Sequence, residues 1–228
     1  MFSLYHIPYT INDLQEKKKL EIENTSDLRK KAKIIVVDDQ NFPSLESLRD
    51  SYHYDIKQVF DMDDAYMAAE YDIILCDIQG VASKLNSRNG GANLIKEIKL
   101  KYPTKKVVAY SAMSFKPSIS DLLDYADKRM GKSSQTDDWV NVLDNLIKKK
   151  FDLREQWFIT RNALLKRGLS IIDVAKIESN YVNSVNNNCI NKMQNRILKE
   201  NFDGKEIVVY LLKITANVLP FLIEMGVL

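Results

Sequence analysis

The most constraining feature of the sequence is the stretch Tyr71-Asp-Ile-Ile-Leu-Cys-Asp77, in which an unbroken apolar run over residues 73–76 ends on a carboxylate. Apolar residues without polar alternation are typical of a strand that is covered on both faces, as in a parallel sheet. Parallel sheets place their ligands at the carboxyl ends of their strands. The run therefore predicts that Asp77 lies at the rim of a sheet, on a backbone that a buried strand holds in place.

Further strand patterns alternate with helix patterns over the first two thirds of the chain. The strands are expected at residues 33–37, 54–60, 71–77, 106–111 and 127–130. Helices are expected at residues 41–49, 61–70, 92–102 and 117–126, and another begins near residue 137. Strand and helix in strict alternation predict an α/β fold, a doubly wound five-stranded parallel sheet with helices on both faces.

The remaining third predicts an all-α C-terminal domain. Residues 137–166 contain neither proline nor glycine, and their apolar residues follow a coiled-coil-like spacing, which predicts one long helix. Gly168 ends this helix, and three more helical segments follow it. The expected organisation is an N-terminal extension over residues 1–31, an α/β domain over 32–150 and a helical output or dimerisation domain over 151–228.

Composition narrows the classes of function. Lys and Arg total 33 against 31 Asp and Glu, so the net charge gives no reason to expect a polyanionic partner. Cys76 and Cys189 offer neither a disulfide framework nor zinc-ligand spacing, which is typical of the reducing cytoplasm. The strongest membrane candidate, residues 207–223, is interrupted by Lys213 and Pro220, and a buried helix is expected there instead.

Polar groups that chemistry could use follow four of the predicted strands: Asp38 and Asp39, Asp77, Ser111 and Lys132. Carboxylates packed together repel one another and raise each other's proton affinity. A hard divalent cation such as Mg²⁺ removes that repulsion. A carboxylate can also attack phosphorus to form an acyl phosphate, whose oxygens an ammonium and a hydroxyl could bind. The constellation therefore predicts a site for a metal ion and a phosphoryl group.

In this order, the residues resemble the receiver domain of two-component response regulators, which has a flavodoxin-like fold. The resemblance covers residues 33–135 and places an acidic pair after the first strand, Asp77 after the third, Ser111 after the fourth and Lys132 after the fifth. The segment 126–132, Ala-Asp-Lys-Arg-Met-Gly-Lys, is similar to the family's Ala-Asp-x-aromatic-x-x-Lys ending.

The resemblance implies a signalling protein of a phosphorelay rather than an enzyme in the usual sense. Asp77 would accept a phosphoryl group from a sensor histidine kinase or a phosphotransfer protein. Asp39, Asp77 and the backbone carbonyl of Gln79 would bind Mg²⁺, and Asp38 would hold a metal-bound water. Ser111 and Lys132 would bind the phosphoryl group.

Four departures from the family pattern concern the surroundings of this site and its readout. Gly80 stands in the region where the family has a proline, and Ser133 follows the lysine where the family has another. The loop over residues 78–91 is several residues longer than usual. The family's switch aromatic, three positions before the lysine, is here Arg129. The phosphorylation chemistry is thus complete in the sequence while the readout is altered, and Tyr110 could substitute for the missing aromatic.

Two other interpretations stay open. The same fold could be a pseudo-receiver, a phosphorylation-independent scaffold whose C-terminal helices bind a protein partner or a second copy of the chain. Residues 165–185 also have a weak helix-turn-helix character, which would make the protein a DNA-binding regulator. A recognition helix normally carries a denser set of basic and amide side chains, so DNA binding is the less favoured of these alternatives.

Overall fold

The computed structural model of the chain describes residues 9–14, 25–82, 90–112 and 117–224. These residues form two compact units. One unit contains the described residues of 25–150, and the other combines residues 9–14 with residues 151–224. The segment expected as an N-terminal extension, residues 1–31, thus contributes described residues to both units.

The first unit contains a five-stranded parallel sheet, which confirms the predicted fold class. Its strands are β1 (Lys33–Val37), β2 (Asp55–Val59), β3 (Ile73–Asp77), β4 (Lys106–Ser111) and β5 (Lys128–Gly131), in the order β2-β1-β3-β4-β5. The chain passes from β1 outward to β2 and then back to β3. The strand order therefore reverses between β1 and β3, and the carboxyl ends at such a reversal are where open α/β sheets bind their ligands.

Helices and short turns precede, connect and follow the strands. The helices are α1 (Thr25–Lys31), α2 (Gly90–Lys101), α3 (Ser120–Leu123) and α4 (Thr136–Phe151). The helices predicted at residues 41–49 and 61–70 are shorter than expected, a π-helical turn at Ser47–Ser51 and a 3₁₀ turn at Ala65–Ala68. In the second case the Asp61 carboxylate accepts hydrogen bonds from the backbone N–H groups of Met62 and Ala82, which holds the start of the segment outside a helix.

The apolar core holds the strand ends in place. The central strands β3 and β4 are buried along their whole length. On one face of the sheet Ile35, Ile74 and Val107, from three adjacent strands, are each at most 2% exposed. Burial of side chains of this size stabilises a fold by about 1.5–3 kcal/mol each. The residues that follow these strands are therefore attached to a rigid base.

The second unit is helical, as predicted for the C-terminal domain. It contains α5 (Leu153–Lys166), α6 (Ile171–Asn186), α7 (Ile190–Lys199) and α8 (Lys205–Glu224). Trp157 and Tyr181 stack in its core with ring centroids 5.6 Å apart. Residues 9–14 pack on α6, where the backbone N–H of Ile11 donates to Glu178 Oε1 at 2.8 Å. Across the described residues, no helix is both long enough and apolar enough to cross a bilayer.

The single helix predicted over residues 137–166 is wrong, because α4 ends at Phe151 and α5 begins at Leu153. Asp152 between them has an extended backbone, with ψ at 107°. Its carboxylate accepts hydrogen bonds from the backbone N–H groups of Arg154 and Glu155 at 2.9 and 3.1 Å. An aspartate that caps a helix start in this way competes successfully with continuation of the helix.

Candidate functional site

The carboxyl ends of β1 and β3 bring three aspartates together at the point where the strand order reverses. Asp38 and Asp39 directly follow β1, and Asp77 is the last residue of β3. One carboxylate oxygen from each of the three lies within 4.8 Å of the other two. Asp38 is fully buried and Asp77 is 4% exposed, whereas Asp39 is exposed to solvent. The sheet topology thus places in one pocket the carboxylates that the sequence analysis expected to converge.

Lys132 joins two of these carboxylates. It lies in the turn after β5, and its Nζ donates to Asp38 Oδ1 and to Asp77 Oδ2, both at 2.9 Å. Its backbone N–H donates to the carbonyl oxygen of Ser111 at 2.7 Å. Ser111, 3% exposed at the end of β4, is therefore linked to the pocket through the main chain of Lys132.

The carboxylate oxygens also accept hydrogen bonds from other groups of the protein. Tyr110 donates its hydroxyl to Asp38 Oδ2 at 2.7 Å. The backbone N–H of Gln40 donates to Asp38 Oδ1 at 2.9 Å, and that of Gln79 donates to Asp77 Oδ1 at 3.1 Å. Gln79 was predicted at the site from the sequence, whereas Tyr110 was predicted only as a substitute for the missing switch aromatic and not as a partner of Asp38. The available signal was a tyrosine near the end of a buried strand, since a buried phenol usually has a hydrogen-bond partner.

Two glycines allow close approaches at this pocket. Gly80 has φ at +76°, and a Cβ atom there would lie 2.2 Å from Asp39 Oδ2. A Cβ atom on Gly91 would lie 2.0 Å from the carbonyl oxygen of Asp77. Gly80 is therefore a requirement for the position of the Asp39 carboxylate, and Gly91 is a requirement for the packing of the first turn of α2 on the end of β3.

Burial and hydrogen bonding shift the acidity of the groups in the pocket. Burial raises the pKa of the Asp77 carboxyl, and the hydrogen bonds from Lys132 and Gln79 offset only part of that effect. Burial by itself would lower the pKa of the Lys132 ammonium, but its bonds to Asp38 and Asp77 outweigh burial and raise it. Burial and the bond to Asp38 raise the pKa of the Tyr110 phenol, so this residue keeps its proton and stays a donor.

The donor set fits a divalent cation of the Mg²⁺ type. The three carboxylates and the single ammonium of Lys132 leave a formal charge of −2, which one dication would neutralise. All the acidic donors are hard oxygens, the ligands that Mg²⁺ prefers. Asp39 is exposed to solvent, and Gly80 makes room for its carboxylate.

The departures expected around the site are partly visible. Arg129 lies on β5, and its Nη2 donates to Asp124 Oδ1 at 2.6 Å and to the carbonyl oxygen of Ser120 at 3.5 Å. The position of the family's switch aromatic is therefore occupied by a guanidinium bound to α3 and the residue after it. Half of the expected long loop, residues 83–89, lies outside the described residues.

Comparison with known proteins finds likeness only among solved structures. No family profile and no curated protein matches the chain. A response regulator from Thermotoga maritima is 18% identical, with 51% of this chain and 97% of that chain covered at a TM-score of 0.42. About half of the chain resembles a response-regulator receiver domain. A CheY-like receiver domain protein from Methanospirillum hungatei JF-1 is 16% identical, with 52% and 95% covered at a TM-score of 0.44. The receiver domain of NtrX from Brucella abortus is 22% identical, with 50% and 98% covered at a TM-score of 0.40.

Proposed function

We propose that the protein is a response regulator that accepts a phosphoryl group on Asp77 and uses Mg²⁺ as its cofactor. The observation that supports this most strongly is the position of Lys132, whose ammonium bridges the buried carboxylates of Asp38 and Asp77 at 2.9 Å each. The exposed carboxylate of Asp39 completes an acidic pocket beside this pair. The carboxylate that would act as the nucleophile, the ammonium that balances its charge and the carboxylates that would bind the metal ion then lie within one pocket.

In this proposal an oxygen of Asp77 attacks the phosphorus of a phosphohistidine or of a small acyl phosphate. A new O–P bond forms, the bond from phosphorus to the donor breaks, and the leaving group takes its electron pair. Lys132 already lies against Asp77 Oδ2, where its ammonium is placed to bind an oxygen of the transferred group. Ser111, at the end of the neighbouring strand β4, would bind a second oxygen.

The metal ion would be held by Asp39, Asp77 and the backbone carbonyl of Gln79, with Asp38 bound through a water molecule. When present, Mg²⁺ would polarise the phosphoryl oxygens and neutralise part of the charge that develops on them. The hydrogen bond from the backbone N–H of Gln79 to Asp77 Oδ1 orients the carboxylate, so that its Oδ2 is the oxygen that faces Lys132.

The proposed partners follow from the same chemistry. The phosphoryl donor would be a sensor histidine kinase or a phosphotransfer protein, and the chain would act as a signalling protein rather than an enzyme with turnover of a separate substrate. Ile171 and Ile172 at the start of α6 are 72% and 69% exposed. Exposed aliphatic residues favour a protein partner or a second copy of the chain over DNA as the target of the helical unit. The two free cysteines agree with a cytoplasmic location.

A phosphorylation-independent scaffold is the second candidate, and one observation favours it. Both oxygens of Asp38 and both oxygens of Asp77 already accept hydrogen bonds from the protein. A pocket whose acids are satisfied in this way is stable without a ligand. The C-terminal helices would then bind their partner whatever the state of Asp77.

Phosphoryl incorporation separates the two candidates. Wild type, Asp77→Asn and Asp55→Asn are incubated with ³²P-labelled acetyl phosphate and Mg²⁺, and acid-precipitated protein is counted. Asp55 is an exposed acid at the opposite end of the sheet, so its variant controls for loss of a carboxylate. Wild type and Asp55→Asn should incorporate equally, and Asp77→Asn should incorporate none. Equal labelling of Asp77→Asn would remove the assignment, and an unlabelled wild type would favour the scaffold.

A further inference from the structure

One phenol connects the acidic pocket to the aromatic packing under α4. Tyr110 is fully buried, and its hydroxyl donates to Asp38 Oδ2 at 2.7 Å. Its ring packs edge-on against Trp139, with centroids 5.6 Å apart and planes at 87°. Phe42 contacts both rings, at 5.7 Å from Tyr110 and 5.1 Å from Trp139. We define these three residues as the aromatic cluster.

The cluster links the pocket to the first part of α4. Trp139 lies in the first turn of α4 and is 1% exposed. Phe42 lies in the segment after β1 that begins with Asp38, and its N–H donates to Gln58 Oε1 at 3.0 Å. The cluster therefore contacts Asp38 through the Tyr110 hydroxyl and belongs to α4 through Trp139. Arg129, which fills the position of the family's switch aromatic, is not a member of this cluster.

We propose that Tyr110 is a positioning residue that transmits the state of the Asp38 carboxylate to Trp139 and so to the first turns of α4. We call this coupling the relay. This inference rests on the proposed function, because it assigns the readout of that same pocket. It assigns the readout to a phenol of β4 in place of the family's switch aromatic, whose position on β5 is here Arg129.

Asp38 has a different partner on each of its carboxylate oxygens. Its Oδ1 accepts from Lys132, and its Oδ2 accepts from Tyr110. A phosphoryl group on Asp77 that attracts the ammonium of Lys132 would weaken the bond to Asp38 Oδ1. The Asp38 carboxylate, whose charge Lys132 then neutralises less, accepts a stronger charge-assisted hydrogen bond from the Tyr110 hydroxyl at its Oδ2. Asp38 has no exposed surface, so water does not take up this change.

The rigid packing of the cluster turns a small change at the phenol into a change at α4. Buried side chains at interior density leave little space for independent movement, so a displaced ring displaces its neighbours. The later part of α4 is held separately, because Asp144 accepts a hydrogen bond from the Tyr54 hydroxyl at 2.7 Å and pairs with Arg29. The signal is therefore expected at Trp139 rather than uniformly along the helix.

The test records the indole ¹H–¹⁵N signals of full-length protein labelled at tryptophan. The sequence has two tryptophans, Trp139 and Trp157, and Trp157→Phe assigns the two signals. Asp38→Asn is introduced into the wild-type, Tyr110→Phe and Tyr54→Phe backgrounds. It removes the charge of the Asp38 side chain, and the signals are recorded without any ligand. Tyr110→Phe keeps the ring and removes the hydroxyl. Tyr54→Phe is the matched control, since it removes another buried hydroxyl that binds α4 but does not contact Asp38.

The relay predicts that Asp38→Asn shifts the Trp139 signal in the wild-type and Tyr54→Phe backgrounds by similar amounts. In the Tyr110→Phe background the shift should fall at least threefold, and the Trp157 signal should stay in place throughout. An equal shift of the Trp139 signal in all three backgrounds would overturn the relay, as would the absence of any shift in wild type. Circular dichroism of each variant verifies that it is folded before the signals are compared.

A second arm keeps the failure of the relay distinct from the failure of the proposed function. Acetyl phosphate and Mg²⁺ are added to wild type and to Tyr110→Phe, with label incorporation and the indole signals measured together. Incorporation in both with a Trp139 shift only in wild type supports both proposals. Incorporation with equal shifts refutes the relay alone. A lack of incorporation in wild type refutes the proposed function, and the ligand-free arm then decides the relay.

Discussion

Removal of the ammonium between the two buried acids is the perturbation with the largest predicted effect. Lys132→Met keeps most of the length and the apolar stem of the side chain but removes its charge. The side chains of Asp38 and Asp77 are 0% and 6% exposed, so water cannot replace the lost partner. The variant leaves two buried carboxylates facing each other in the pocket.

The expected loss in the free energy of unfolding follows from the burial of these two carboxylates. Breaking a buried ion pair by removing one partner costs about 3–5 kcal/mol. Typical domains have a total free energy of unfolding of about 5–15 kcal/mol, so the variant is expected to be folded but severely destabilised. Mg²⁺ binds only the folded pocket, and at a concentration one hundred times its dissociation constant it should restore about 2.7 kcal/mol.

The pH dependence of the loss in unfolding free energy decides whether this reasoning is correct. Without Lys132, burial and repulsion from the neighbouring carboxylate raise the pKa of the Asp77 carboxyl further above its unfolded value. Carboxyl groups with a raised folded-state pKa destabilise the fold when charged, so the loss is greatest at high pH and shrinks as the pH falls and the acids take up protons. Urea unfolding at pH 8 and pH 5, followed by fluorescence of Trp139 in a Trp157→Phe background, measures both values. A loss below about 1 kcal/mol at pH 8, or a loss that grows toward pH 5, would refute the reasoning.

The control for this experiment lies on β5, the strand that leads to Lys132. Lys128, four residues earlier on β5, is exposed. Lys128→Met removes the same charge from the surface and should change the free energy of unfolding by no more than about 0.5 kcal/mol. A comparable loss in both variants would mean that net charge, and not the buried pair, sets the stability.

Three further predictions concern substitutions of single residues. Gly80→Ala should weaken Mg²⁺ binding at least tenfold in calorimetry, because a Cβ atom would displace the Asp39 carboxylate, and its left-handed backbone adds about 1–2 kcal/mol of strain. Gly168→Ala, with φ at +89° and open space around it, should show similar strain without any effect on Mg²⁺. Burial lowers the pKa of Lys150 to about 8, so the free energy of unfolding should fall as the pH drops from about 10.5 toward 8, and Lys150→Met should flatten this slope in urea titrations. Asp152→Ala should cost the helical unit about 1 kcal/mol in urea unfolding followed by Trp157, and an unchanged midpoint would contradict its capping role.

The convergence of the pocket acids could be predicted from the sequence because it depends on topology alone. An apolar run without alternation fixes a buried strand, and a carboxylate at its end must then lie at the rim of the sheet. Alternation of strands and helices implies parallel neighbours, so Asp38 and Asp77 had to approach each other. Lys132 followed from the same logic, since it closes the last strand of the sheet.

Other features depend on strand pairing, on single side-chain hydrogen bonds or on steric clashes, which the pattern of apolar and polar residues does not contain. The role of Tyr110 requires the pairing of β3 with β4, which sets Tyr110 beside Asp77, and the alternation of side chains that separates it from Ser111. The break at Asp152 depends on one capping side chain within a pattern that has neither glycine nor proline. The role of Gly80 depends on a clash that is visible only once the Asp39 carboxylate has a position.

A calorimetric titration with Mg²⁺ tests the central claim most directly, since the account requires the pocket acids to share one divalent cation. Wild type should bind Mg²⁺ at a single site, and Asp39→Asn should lose that binding while it stays folded. Failure of wild type to bind Mg²⁺, or equal binding by the two proteins, would contradict the account.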